Sequence, residues 1–105
     1  MKKYKIKIEP EALADIRDIT NWYKEISANL GKRFHSTTIK QINSLNNDPH
    51  IFAIRYNEIR CMLVEKFPYM VHFFINEKTM IVEIFALIST SQNPKIWEEK
   101  TRNNI

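Results

Sequence analysis

The sequence predicts a two-layer α+β domain: an N-terminal strand, an α-helix hairpin, then an antiparallel three- to four-stranded sheet. Three observations carry this expectation. Apolar residues alternate with lysine at the start, recur at helical spacing through the rest of the first half, and are dense and β-branched in the second half. A helix hairpin has one apolar face to bury, and one face of a sheet can cover it.

Tyr4, Ile6 and Ile8 alternate with Lys5 and Lys7, the period-two pattern of a strand with one buried face. The lysines discourage edge-to-edge pairing. Pro10 suits the first turn of a helix, where its missing N–H costs nothing. Ala12, Ile16, Ile19, Tyr23 and Ile26 follow at spacings of four, three, four and three. That is an amphipathic helix. Glu9 and Glu11 lie near its positive end. The run Ser27-Ala28-Asn29-Leu30-Gly31 is expected to break it. Phe34, Thr38, Ile42 and Leu45 then resume helical spacing, and Asn46-Asn47-Asp48-Pro49 ends the second helix. The short connection implies an antiparallel pair.

In the second half, residues 59–67 and 69–75 read as strands on either side of Pro68. Asn76-Glu77-Lys78-Thr79 is a polar turn, and residues 80–88 are apolar enough for a central strand. A shorter edge piece is expected over 52–56, and a brief helix with a frayed tail over 93–105. Ile16, Tyr23, Phe34, Ile42, Val71, Phe73, Val82 and Ile84 should be largely buried. The sheet face away from the helices, or its rim, is where function is expected.

Composition narrows the classes. The chain has 105 residues, which implies one domain over 1–105. One glycine is too few for a phosphate-cradling loop. The formal charge of +4 favours an acidic partner without the excess of a nucleic-acid coat. Cys61 is the single cysteine, so no internal disulfide forms, which suits a reducing cytoplasm. No run of about 20 apolar residues exists, so no membrane span is expected. Met1-Lys2-Lys3 leads into an alternating strand instead of a secretory signal. No His, Cys or carboxylate spacing suggests a metal, and no cofactor is expected.

Several blocks together resemble the RelE/ParE superfamily of toxins from type II toxin–antitoxin systems, which includes plasmid stabilisation proteins. They are the first helix with Trp22-Tyr23, the run Leu30-Gly31-Lys32-Arg33-Phe34, then Arg60, Phe67-Pro68-Tyr69, and Asn93-Pro94-Lys95-Ile96-Trp97. The resemblance spans residues 4–97. It implies the RelE/ParE-like toxin fold and a cognate antitoxin that wraps the toxin. It also implies one of two activities. RelE-like members cleave messenger RNA in the ribosome, and ParE-like members inhibit DNA gyrase.

RNA cleavage without a metal needs a base for the 2′-hydroxyl, cations for the phosphate and an acid for the leaving oxygen. Relatives that cut RNA carry arginine after the tyrosine of the Phe-Pro-Tyr block, histidine and arginine near the end of the last strand, and a late tyrosine or histidine. Here those places read Met70, Ser89-Thr90-Ser91-Gln92 and Trp97. The resemblance therefore implies a ParE-like toxin that acts by binding protein, with gyrase as the expected target. Two alternatives stay open. One is a ribosome-dependent ribonuclease using Arg55, Arg60 or Lys66, with ribosome and mRNA as partners. The other is a non-toxic member that only binds its antitoxin.

The candidate partner-binding residues are Arg60, Lys66, Tyr69, Gln92 and Trp97. Each has a plainer role beside it. Arg60 suits an ion pair across the sheet. Tyr69 is expected to pack its ring in the core or hairpin, and Trp97 to plug the end of the core. His72 is expected to be structural or exposed, and Cys61, with no evident base partner, to be buried packing. Lys2, Lys3, Lys5, Lys7, Lys32, Arg33 and Lys40 are expected to be solvated.

Overall fold

The structure is a computed structural model that describes residues 3–101. Lys2, and the frayed tail expected past residue 101, lie outside the described residues. In chain order the elements are β1 (Lys5–Ile8), α1 (Pro10–Ile26), α2 (Ala28–Ser44), a 3₁₀ turn (Pro49–Ile51), β2 (Ile54–Tyr56), β3 (Ile59–Leu63), β4 (Tyr69–Asn76), β5 (Ile81–Ser89) and α3 (Lys95–Thr101). They form a five-stranded sheet in the order β1-β5-β4-β3-β2. The four later strands pair antiparallel, as the sequence implies. The first strand adds a fifth that the expected count omits. It pairs parallel with β5, Ile6 beside Val82 and Ile8 beside Ile84. The whole chain between these two strands serves as their crossover, so nothing near Tyr4 announces the partner.

The break between the helices is sharper than expected. Ser27 alone is extended, and it caps both neighbours. Its N–H donates to the Tyr23 carbonyl, and its hydroxyl accepts from Leu30 N–H at 3.4 Å. Gly31 therefore lies inside α2, not in a loop. A Cβ there would collide with Lys24 Cγ and come 3.1 Å from the Thr20 carbonyl oxygen, so glycine lets the helices approach. Ile26 closes the expected stripe but is 61% exposed at the last residue of α1.

All eight residues expected in the core are buried. Tyr23 and Phe34 of the hairpin meet Phe67 and Tyr69 with ring centroids 5.2 to 6.4 Å apart. This explains the Phe67-Pro68-Tyr69 block: it places two rings under the hairpin. The expected strand over 59–67 stops at Leu63, because the chain turns with Lys66 at φ 69°. Gln41 on α2 clamps that turn, donating to Leu63 O at 3.0 Å and accepting from Glu65 N–H at 2.6 Å. The β2–β3 connection is a two-residue turn with both φ values positive, 42° at Asn57 and 64° at Glu58. Asn76 closes the β4–β5 turn by accepting from Lys78 N–H and Thr79 N–H.

Candidate functional site

The sheet face away from the hairpin is only partly open. Trp97 of α3 is buried against Ala86 and Ile88 of β5, with Met70 and Tyr56 packed beside it. Around this plug several titratable side chains meet. The Tyr56 hydroxyl is 2.8 Å from His72 Nδ1 and 3.4 Å from Thr101 Oγ1. Thr101 donates its proton to the Trp97 carbonyl at 2.9 Å. Cys61 Sγ lies 3.5 Å from His72 Nδ1. The Trp97 ring stands edge-on to His72 at 5.0 Å, and Arg55 stacks its guanidinium over Trp97 at 5.5 Å.

The backbone explains why these residues meet. In the β3–β4 register Cys61 lies opposite His72, and His72 lies opposite Ala86 of β5. The register shifts between His72 and Phe73. Such a bulge re-aims side chains at a sheet face. The short edge strand β2 brings Arg55 and Tyr56 to the same end.

The electrostatics keep this group uncharged apart from its cations. Burial lowers the pKa of His72 to about 4, with Arg55 and Lys100 adding to the effect. Burial raises Cys61 to about 11 and Tyr56 to about 12. Near neutral pH, His72, Cys61 and Tyr56 are thus all neutral. The expectation that Cys61 has no base partner is corrected, since His72 is within reach. The pair is still not a thiolate–imidazolium couple, because both pKa shifts oppose charge separation. No group of three His, Cys, Asp or Glu among the described residues is placed to hold a metal.

The six sequence candidates do not form one site. Arg55 and Trp97 belong to the group just described. Arg60 donates to the carbonyl oxygens of Phe52 at 2.6 Å and His50 at 3.4 Å, in place of the expected ion pair. Lys66 is exposed on the β3–β4 turn. Tyr69 is half-buried with its ring on Tyr23 and Phe34. Gln92 is exposed and lines a small cleft of about 190 Å³ with Asp15, Tyr69 and Lys100. Asp15 there accepts from Leu87 N–H at 3.0 Å and pairs with Lys100 at 3.6 Å, tying α1 to β5 and α3. Sequence reasoning passed over Tyr56, Thr101 and Asp15. Tyr56 and Thr101 are single polar residues at element ends. Asp15 sits among other charges on α1.

Residues 6–94 match the family model described as the ParE toxin of the type II toxin–antitoxin system parDE. No curated protein sequence matches the chain. Among solved structures, the chromosomal ParDE TA system from P. aeruginosa is similar with a TM-score of 0.73 at 16% identity, covering 83% of this chain and 96% of that one. A mutant E. coli toxin RelE in the free state gives 0.64 at 8% identity, covering 98% of both chains. The toxin–antitoxin complex RelBE of E. coli gives 0.63 at 13% identity, covering 85% of this chain and 99% of that one. At these identities the structural likeness speaks for the fold.

Proposed function

This chain belongs to the ParE toxin family of type II toxin–antitoxin systems, and we propose that it acts in the cytoplasm as the toxin of such a pair, by binding a protein target, DNA gyrase, until a cognate antitoxin neutralises it. The observation that carries this reading is the family match over residues 6–94. The state of the sheet face supports binding over RNA cleavage. His72 is buried and neutral, and Tyr56 and Cys61 hold their protons well above neutral pH. A general base working near pH 7 needs a pKa close to that value. Met70 and Gln92 add no cation for a phosphate.

The test is induction of the gene, followed by a gyrase supercoiling assay and primer extension on messenger RNA. DNA damage with intact transcripts, and inhibition of purified gyrase, are the expected results. Codon-phased cuts that vanish on Arg55→Ala would overturn the reading. One observation favours that second reading, a ribosome-dependent mRNA endoribonuclease: Arg55 is exposed beside His72 and steadied on Trp97. Binding to antitoxin with neither DNA damage nor cut transcripts would instead identify a non-toxic member.

A further inference from the structure

Two sides of α1 stand outside the core, and they carry opposite charge. Arg17 and Lys24 line the concavity that α1 shares with His35 and Ile39 of α2. On the far side, Glu11, Asp18 and Glu25 recur every seven residues, two helical turns or about 10 Å apart. All three are exposed. Trp22 stands between Asp18 and Glu25, at helical neighbour spacing from both, with Ile26 one turn further on.

Trp22 is 55% exposed and Ile26 61%. Single exposed apolar residues are ordinary on a surface, but these two adjoin. The Trp22 ring is also fixed in direction, since it stands edge-on to buried Tyr23 with 4.9 Å between centroids. A ring already held out into solvent loses little freedom on binding, which suits an interface anchor. The row runs into the cleft at the end of the sheet, which Asp18 and Ile19 line together with Tyr69 and Gln92. An apolar centre beside polar groups is the anatomy of a protein interface.

We propose that this flank of α1 is where the toxin grips its target: Trp22 and Ile26 pack into an apolar recess, and a lysine- or arginine-bearing segment of the target meets Asp18 and Glu25. The inference rests on the gyrase reading above and adds the surface that serves it. Charge selects the occupant. An acidic antitoxin, the partner that a formal charge of +4 favours, is repelled by this row. A second copy docked about a two-fold axis would set carboxylates against carboxylates. An enzyme that handles DNA carries the basic surface that phosphates require, so it presents the complementary charge. Pairs within the flank compete weakly. Asp18 meets Arg17 at 3.4 Å with both side chains largely exposed, so water screens the contact, and Lys100 is already paired with Asp15.

The test sets the same toxin variants against purified gyrase and against the full-length product of the adjoining antitoxin reading frame, by supercoiling inhibition and titration calorimetry. Trp22→Ala, and Asp18→Lys with Glu25→Lys, should each raise the toxin concentration for half-inhibition by roughly tenfold or more. Both should keep the parent's antitoxin affinity within about threefold. The double reversal should also flatten the weakening of gyrase binding by salt. Lys40→Glu, exposed on α2, is the control and should inhibit like the parent. A parent that inhibits gyrase, with both variants equally potent, overturns the flank and leaves the toxin reading intact. Equal losses against gyrase and antitoxin overturn it as well, because the flank would then serve the antitoxin. A parent that neither binds nor inhibits gyrase sinks the gyrase reading, and this inference with it.

Discussion

The hydroxyl of Tyr56 lies 2.8 Å from Nδ1 of His72 and 3.4 Å from Oγ1 of Thr101, so its single proton serves one of the two. Thr101 directs its own proton to the Trp97 carbonyl. The shorter contact makes the stronger bond, so Tyr56 is expected to donate to His72. That arrangement needs a bare Nδ1 and the Nε2–H tautomer of His72. Nitrogen chemical shifts of the imidazole at pH 7 should show a protonated Nε2 and a bare Nδ1. A protonated Nδ1 would instead mean that His72 donates to Tyr56 and Tyr56 to Thr101.

Burial, aided by Arg55 and Lys100, lowers the pKa of His72 from 6.5 to about 4. The unfolded chain then binds more protons between these values, so stability rises with pH across the window. The contribution is full above about pH 6.5 and is lost as pH falls through about 4, with an upper size of roughly 3 kcal/mol. Asp15, raised above 3.8 chiefly by burial, acts in the opposite direction. Urea unfolding of the parent should weaken from pH 7 to pH 4.5. His72→Gln should flatten that slope, and an equal slope in both proteins would refute the assignment.

Cys61 should be a slow thiol. A pKa moved from 9.0 to about 11 cuts the thiolate fraction near pH 8 by roughly 100-fold. Iodoacetamide should therefore label the native protein about 100-fold more slowly than the unfolded chain. A native rate equal to the unfolded one would mean that the site ionises freely.

Arg60→Ala should act mainly on stability. It strips the carbonyl oxygens of Phe52 and His50 of their donor, at a cost of roughly 1–3 kcal/mol. Antitoxin affinity measured well below the melting transition should change little. A large affinity loss with unchanged thermal stability would return Arg60 to the interface.

Gly31→Ala sets two effects against each other. Alanine gains roughly 0.5–1 kcal/mol in a helix interior. Its Cβ would strike Lys24 Cγ and press on the Thr20 carbonyl, and overpacking of this kind costs about 1–3 kcal/mol. The net expectation is destabilisation of about 1–2 kcal/mol in chemical unfolding. A more stable variant would show that Lys24 and the hairpin yield freely.

Local pattern was enough for the elements and the core. Ile16, Tyr23, Phe34 and Val82 could be placed inside because helical and strand periods state which face is apolar. The Phe67-Pro68-Tyr69 block was visible as a motif, but its role as a platform for Tyr23 and Phe34 was not. The candidate site was less legible. Tyr56, His72 and Thr101 are up to 45 residues apart, and a single polar residue on an apolar strand carries no period. The parallel pairing of β1 with β5 likewise depends on a crossover longer than any sequence window. Helices, strands, turns and their buried faces were legible because each is set by neighbours along the chain. The contact between Tyr56 and His72 and the locked donors of Arg60 arise only when distant segments fold together. Each depends on which groups meet across the fold, and on how much water remains between them.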